Sequence, residues 1–258
     1  MPETGRPSEA FKPLAHRAPG GGVWEAALFW ARVLLDLQVH TVFLDLRAFA
    51  RSAAGKVVDF GCGDSPYRHL FPEGRCEYIG LDSTLAPAFD YPGREILRYD
   101  GGRLPFEDGA IDCFVSTETF EHVPDPMEKA REVLRVLRPG GRFFLTVPWS
   151  ARFHYQPHDY YRYTPTALRL MFQEALELEV RARGTDVSVI CAKIVVVCLR
   201  GFSARGLSRV TLLPLALLGL IPAALAVLLG HLSLLTGLGS ADDPLGYTVT
   251  GVKPGRAT

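Results

Sequence analysis

The sequence carries no surplus of charge of either sign. Lys plus Arg and Asp plus Glu both number 28, so the formal net charge at neutral pH is zero. No stretch is rich in Lys and Arg, which is the usual electrostatic footprint of a nucleic-acid binder, so no nucleic acid is expected as a partner. Paired cysteines are also missing. Cys62, Cys76, Cys113, Cys191 and Cys198 are scattered, odd in number and without a C-x-x-C pair. That excludes a disulfide framework and a cysteine zinc site, and no metal site is read from the sequence. Small core residues in a reducing, cytoplasmic environment fit this usage. Residues 1–22 hold Pro, Gly and Arg but no apolar core, so they read as a flexible tail and not as a secretory signal.

The chain's 258 residues suit one α/β domain with additions. From Val23 to Ala50 apolar residues recur at helical spacing, which predicts a helix ahead of the first strand. Lys56-Val57-Val58-Asp59-Phe60 is an apolar run that stops at a glycine turn and reads as a buried strand. A helix is expected near Tyr67 to Leu70. Further strands are read at Glu77–Leu81, Glu95–Tyr99, Ala110–Ser116, Arg142–Val147, Leu176–Arg181 and Tyr247–Lys253. Between them lie helices at Pro126–Leu137, with Asp125 as cap, and Thr164–Ala175, with Thr164 as cap. Strands alternating with helices predict an α/β fold, a seven-stranded and mostly parallel sheet with helices on both faces. In such sheets ligands bind at the carboxyl ends of strands, where Asp59, Asp82, Asp100 and Thr117 all fall.

The turn Gly61-Cys62-Gly63 lets the backbone reverse sharply and approach a ligand closely. Asp82 closes the next strand about 20 residues on, where a carboxylate can accept both ribose hydroxyls of an adenosine group. A dinucleotide site needs G-x-G-x-x-G/A, but Ser65 and Pro66 stand in the last two places. Asp59, two residues before Gly61, would repel a pyrophosphate and suit a ligand carrying an ammonium and a sulfonium. The residues therefore favour S-adenosylmethionine over NAD or FAD, and a nicotinamide-linked oxidoreductase is disfavoured.

Val57-Val58-Asp59-Phe60-Gly61-Cys62-Gly63 resembles motif I of the class I S-adenosylmethionine-dependent methyltransferases. The likeness continues, in order, through Tyr78-Ile79-Gly80-Leu81-Asp82, Leu104-Pro105-Phe106, Ile111-Asp112-Cys113-Phe114, Glu121-His122-Val123-Pro124-Asp125-Pro126 and Glu132 to Gly141. It covers roughly Val57 to Val147 and is similar to the broad type 11 subgroup. The resemblance implies a Rossmann-like fold and a methyltransferase activity. It also implies roles: Asp59 or its backbone at the methionine part, the turn Gly61-Cys62-Gly63 lining the cofactor, Asp82 on the ribose. Asp100 with Gly101 would face the adenine amino group and Thr117 would lie near the methionine end. The Cys62 side chain reads as structural. The family often has a third glycine where this chain has Ser65.

Methyl transfer to oxygen requires removal of the acceptor's proton, so a base is expected at the site. The segment from Pro148 to Thr164 joins His154, His158, Asp159, Arg162 and four tyrosines in one loop after the fifth strand. It resembles a segment of bacterial methyltransferases found with sugar and cell-surface glycan chemistry. His154 and His158 are the candidate bases, and His122, with Glu121, is the other. The rival reading of the loop is a brace of His158, Asp159 and Arg162 that orders it. The expected acceptor is a small molecule, a glycan or a glycolipid. A non-catalytic, membrane-associated protein that binds the same cofactor is the alternative.

Charge disappears altogether from Val210 to Ala241. Within it, Leu212 to Leu229 approaches the roughly 20 residues a bilayer span needs, though Pro214 and Pro222 interrupt it. Arg200, Arg205 and Arg209 precede it and would suit anionic headgroups. The expected organisation is a tail at 1–22, a methyltransferase domain at 23–185 plus 242–258, and an apolar helical insertion at 186–241. Peripheral or monotopic association with the inner face of a membrane is the favoured reading of that insertion, and a buried helical lid is its rival.

Overall fold

The computed structural model describes residues 16–255 apart from 21, 85–95, 203–213 and 215–216. Most of the expected N-terminal tail, Glu95 at the start of the third strand, and Arg205 and Arg209 lie outside the described residues. Seven strands form one sheet: β1 (Gly55–Phe60), β2 (Cys76–Ser83), β3 (Ile96–Tyr99), β4 (Ile111–Thr117), β5 (Leu137–Pro148), β6 (Leu176–Arg183) and β7 (Gly246–Val252). Their order is β3-β2-β1-β4-β5-β7-β6. The first five run parallel, and β7 is antiparallel to both of its neighbours. The α/β architecture expected from the alternation is the one found.

Helices cover both faces because the central strands are apolar on both sides. Val57, Val58, Phe114, Val115, Phe143, Phe144 and Leu145 are all withdrawn from solvent. On one face they meet α3 (Pro126–Val136) and α4 (Pro165–Met171) through Val133, Leu134, Leu168 and Met171. On the other they meet α1 (Val23–Leu35) and α2 (Leu37–Ala50) through Phe29, Val33, Phe43, Leu46 and Phe49. Burial of this kind contributes roughly 1.5–3 kcal/mol for each large side chain. Between β6 and β7 the chain builds α5 (Asp186–Phe202) and α6 (Leu220–Thr236), which pack together and against Leu37 of α2.

The structure corrects several boundaries. The single helix expected over Val23–Ala50 is two helices, bent by 105° at Asp36. Asp36 stops α1 and caps α2, its Oδ1 accepting the N–H groups of Gln38 and Val39. The helix expected at Tyr67–Leu70 is only a 3-10 turn at Arg68–Leu70, bracketed by Pro66 and Pro72. α4 ends at Met171 instead of Ala175, and β6 runs on to Arg183. β5 begins at Leu137, since Leu137 already pairs with Ile111 before the irregularity at Pro139-Gly140-Gly141. Residues 212–213 and 215–216 of the apolar stretch Leu212–Leu229 lie outside the described residues; α6 starts at Leu220, and no single helix among the described residues is long and apolar enough to cross a membrane.

One buried charge ties the carboxyl edge of this sheet together. The Arg183 side chain, 1% exposed, ends β6. Its Nη2 donates to Glu118 Oε1 at 2.6 Å and to the Val147 carbonyl at 3.2 Å, and its Nη1 to Thr41 Oγ1 at 3.0 Å. Gln38 Nε2 donates to the other Glu118 oxygen at 2.7 Å. A Cβ at Gly246 would collide with Arg183 Nη2, so β7 can start beside this guanidinium only with glycine there. Glu118→Ala leaves a fully buried guanidinium without its counterion, and it should cost about 3–5 kcal/mol in urea unfolding. Arg181→Ala removes a half-exposed partner of Asp45 and should cost less than about 1 kcal/mol. Equal losses in the two variants would refute the special standing of Glu118.

Candidate functional site

The glycine turn lies directly after β1, at the carboxyl edge of the sheet. Gly61 has φ +72° and Gly63 φ +51°, the left-handed region that glycine adopts without strain. A Cβ at Gly61 would collide with the Thr119 side chain, so Gly61 also permits the segment after β4 to close over the turn. The Cys62 side chain faces away from the edge: it is buried, and its Sγ lies against Gly80 of β2. Burial pushes its thiol far above the ordinary range, which suits a packing residue.

Asp82 sits near the end of β2, half-buried, and its Oδ2 accepts the Gly63 N–H at 2.8 Å while Oδ1 accepts the Ser83 N–H at 2.7 Å. Burial raises its pKa, and those two N–H groups oppose the rise. Asp59 points into the protein. It is 2% exposed, its Oδ2 accepts the Tyr78 hydroxyl, and its Oδ1 has no hydrogen-bond partner. Burial drives its pKa up to about 7, the Tyr78 hydrogen bond opposes this, and the Asp82 charge adds to it. Asp100 follows β3 on the surface and its Oδ1 accepts the Gly102 N–H at 3.1 Å. Gly101, at φ +97°, has open space where a Cβ would stand, and Lys129 Nζ holds the turn through the carbonyls of Gly101 and Gly102. Thr117 ends β4, half-buried, with its carbonyl accepting from Thr119 Oγ1. These positions thus share one edge, and their carboxylates suit a ligand bearing positive charge and hydroxyl groups.

The histidines gather beside them. The loop after β5 folds back onto the segment that follows β4: the N–H groups of Tyr160 and Tyr161 donate to the Glu121 carbonyl and Tyr163 Oη to the Phe120 carbonyl. Tyr161 Oη donates to the Pro124 carbonyl. His122 and His154 meet edge to face with ring centroids 4.9 Å apart. His122 Nδ1 donates to the His158 carbonyl at 2.6 Å. His154 Nδ1 donates to the Arg152 carbonyl at 2.9 Å and lies 3.1 Å from Asp159 Oδ2. The His158 ring stands apart from this pair, its Nδ1 3.0 Å from Tyr160 Oη. A brace does order the loop, but it joins Arg162, Asp159 and His154: Arg162 grips both Asp159 oxygens at 2.6 and 2.8 Å, and the His154 N–H donates to Asp159 at 2.9 Å. His158 stands beside it, its carbonyl accepting from His122 Nδ1 and its N–H donating to the Tyr155 carbonyl.

Glu121 is fully buried beneath the histidines, and neither carboxylate oxygen has a hydrogen-bond partner. Burial, and then the Glu118 charge, push its pKa well above the carboxylate range. Burial alone would raise Asp159 as well, but the Arg162 guanidinium and the His154 N–H outweigh it and hold it low. His122 is pushed down to about 4, chiefly by burial, so its ring is neutral. Sequence reasoning had no access to Thr119 over Gly61, to the Tyr78–Asp59 bond, or to the Glu118–Arg183 pair. None of these has a local pattern, and Arg183 and Glu118 are 65 residues apart.

The chain is similar to known proteins in part of its sequence and in its fold. A family model described as a methyltransferase domain matches residues 58–145, about a third of the chain. An uncharacterized methyltransferase of Mycobacterium sp. (strain KMS) is 39% identical over 90 residues, which is 33% of this chain and 35% of that protein. One of Mycobacterium marinum is 32% identical over 124 residues, 45% of this chain and 49% of that protein. The matches therefore span about a third to a half of the length of these relatives. Among solved structures, the [4+2]-cyclase SpnF aligns with a TM-score of 0.52 at 20% identity, over 84% of this chain and 83% of that one. A possible histamine N-methyltransferase of Thermotoga maritima aligns with a TM-score of 0.52 at 13% identity, over 90% and 96%. These two likenesses show the fold, which hosts more than one reaction. The matched segment, residues 58–145, is thus similar to the methyltransferase domain of S-adenosylmethionine-dependent methyltransferases, and it lies on a sheet of the same fold.

Proposed function

We propose that this chain transfers a methyl group from S-adenosylmethionine to an oxygen of a small-molecule, glycan or lipid-linked acceptor. The observation that carries the reading is the loop after β5, which brings His154 onto Glu121 and His122 beside the segment whose Thr119 covers the glycine turn. S-adenosylmethionine supplies a methyl carbon on a cationic sulfur, so the protein must orient the acceptor, keep out water and take up one proton. Asp82 would hold the ribose hydroxyls, Asp100 with Gly101 the adenine, and Gly61, Gly63 and Thr117 would flank the methionine part. Neutral His122, His154 and the separate His158 are the groups able to handle the acceptor's proton. The double variant His154→Ala, His158→Ala should lose at least about 100-fold in methyl transfer, with cofactor binding by calorimetry unchanged. Full activity in that variant would sink the assignment. A wild-type protein that binds the cofactor yet transfers no label to cell extract would favour the non-catalytic alternative.

Asp59 gives the cofactor reading a separate check. The groups facing it are Tyr78, Asp82 and Cys62. Its pKa is raised to about 7, so it is largely neutral at pH 6 and ionised at pH 8. An ionised Asp59 favours a cationic ligand, so affinity for S-adenosylmethionine should rise from pH 6 to pH 8. Affinity for S-adenosylhomocysteine, which lacks the sulfonium charge, should rise less. Asp59→Asn should abolish the difference, and calorimetry at the two pH values reads it. Linkage gives the opposite sign for stability: the raised pKa means the contribution of Asp59 is fully present below the ordinary value of 3.8 and is lost as pH rises through about 7.

A second part of the proposal concerns location. α6 carries no charged side chain and exposes Ile221 (74%), Leu225, Leu228, Leu232 and Leu235 (86%), while only Ala226, Val227, Gly230 and Ser233 are buried. α5 adds exposed Ile190, Ile194 and Val197. α1 meets α6 where His231 Nε2 donates to the Leu34 carbonyl, and adds Trp24, Leu28, Leu34 and Leu35. Soluble monomers rarely leave so much apolar surface bare, and it supports monotopic association with a membrane. After cell fractionation the protein should resist high salt and be released by detergent, and Leu228→Glu with Leu232→Glu should move it to the soluble fraction. Release of the wild type by salt alone would count against an apolar attachment.

A further inference from the structure

We propose that Glu121, His122 and His154 form a binding site for a divalent cation of the zinc class. One donor atom from each of the three lies within 4.8 Å of the others. His122 Nε2 is 3.6 Å from Glu121 Oε1, too long for a hydrogen bond between them. Both Glu121 oxygens and His122 Nε2 are buried and have no hydrogen-bond partner. Native proteins seldom leave such atoms unpaired, because each loses its bonds to water with no replacement, and a charged group loses more. Three unpaired lone-pair atoms in one buried place are complementary to a cation.

The protons on the two rings are arranged for this. His122 Nδ1 faces the His158 carbonyl, which can only accept, so Nδ1 carries the proton and Nε2 the lone pair. His154 Nδ1 faces the Arg152 carbonyl and the Asp159 carboxylate, both acceptors, so its lone pair is also on Nε2. Outer hydrogen bonds from a ligating imidazole to a carbonyl or carboxylate fix the ring and raise its basicity. Asp159 is itself held in place by two hydrogen bonds from Arg162. This gives the Arg162–Asp159–His154 brace a purpose beyond ordering a loop.

Two imidazoles and one carboxylate suit zinc and neighbouring first-row ions better than calcium or magnesium, which prefer all-oxygen shells. Tetrahedral bonding at about 2.0–2.1 Å requires donors about 3.4 Å apart, so the side chains would draw together by about 1 Å on binding. Three protein ligands leave a fourth position. On the reading that this loop faces the acceptor, that position takes the acceptor hydroxyl. With a cation bound, His122 and His154 serve as its ligands and no longer as bases, so the hydroxyl gives its proton to His158 or solvent more readily, its oxygen forms the new C–O bond, and the electron pair of the broken S–C bond stays on sulfur.

The test uses untagged full-length protein, stripped with a chelator and titrated with Zn2+ by calorimetry and with Co2+ by visible absorption. One equivalent per chain should bind, with the intense Co2+ bands of a tetrahedral site. His122→Ala, His154→Ala and Glu121→Gln should each weaken binding at least about tenfold, and Asp159→Asn, which touches no ion, by about 10-fold or more. S-adenosylmethionine binding to each variant verifies that it is folded. No stoichiometric binding, or binding unchanged in a variant carrying both His122→Ala and His154→Ala, would overturn the site. Stripped protein that still methylates at full rate defeats the cation's role and leaves the methyltransferase reading standing. Protein that binds the ion and transfers no methyl group does the reverse.

Discussion

The carboxyl edge of the sheet depends on the guanidinium of Arg183. It is out of contact with water and must be neutralised where it lies. Its partners are Glu118 after β4, Val147 in β5 and Thr41 in α2, so one charge fixes the ends of three strands against the helix layer behind them. Glu118 meets it from a left-handed backbone conformation, φ +52°, which turns the chain sharply at the end of β4. That turn sends Thr119 over Gly61 and starts the 3-10 segment Phe120–His122. The position of the candidate acceptor residues therefore follows from a contact that involves none of them.

Polar and apolar burial divide the labour. Either face of the sheet is closed by aliphatic and aromatic side chains, whose contribution is large and undirected. Direction comes from the polar contacts at the edge, where Asp82 receives the Gly63 N–H and Arg162 clamps Asp159. Asp59 and Glu121 are the exceptions. Each is buried with at least one oxygen unpartnered, and each is held above its ordinary pKa chiefly by desolvation. Such groups cost stability and persist where a site has use for them.

The insertion between β6 and β7 is built on a different plan from the rest. α6 buries the small residues Ala226, Gly230 and Ser233, with Val227, against α5 and α2, and turns most of its leucines outward. Gly230 permits this packing, since a Cβ there would collide with Leu37. An apolar helix with its small residues inside is the reverse of the pattern that a water-facing helix shows. α1 buries Phe29 and Val33 but likewise leaves Trp24, Leu28 and Leu34 exposed.

What the sequence determined by itself was whatever is encoded locally. Apolar runs marked most of the strands of the sheet, glycines marked the turn after β1, and the order of motifs from Val57 to Val147 marked the cofactor side. Local patterns also marked the loop from His154 to Thr164 as dense in chemistry. Where a pattern depended on a distant partner it misled. Asp36 looked like one polar residue in a long helix, because its role as a cap shows only once the two helices diverge. Tyr67 to Leu70 reads as helical on its own residues, but Pro66 and Pro72 hold it to a single 3-10 turn. Only the tertiary structure decided which histidines meet, that His154 and not the His158 ring shares the brace with Asp159, and that Glu121 lies unpaired beneath them. The meeting of His122 with His154 and the place of Glu121 join segments more than 30 residues apart, and the brace, though local, depends on side-chain directions that no periodicity carries.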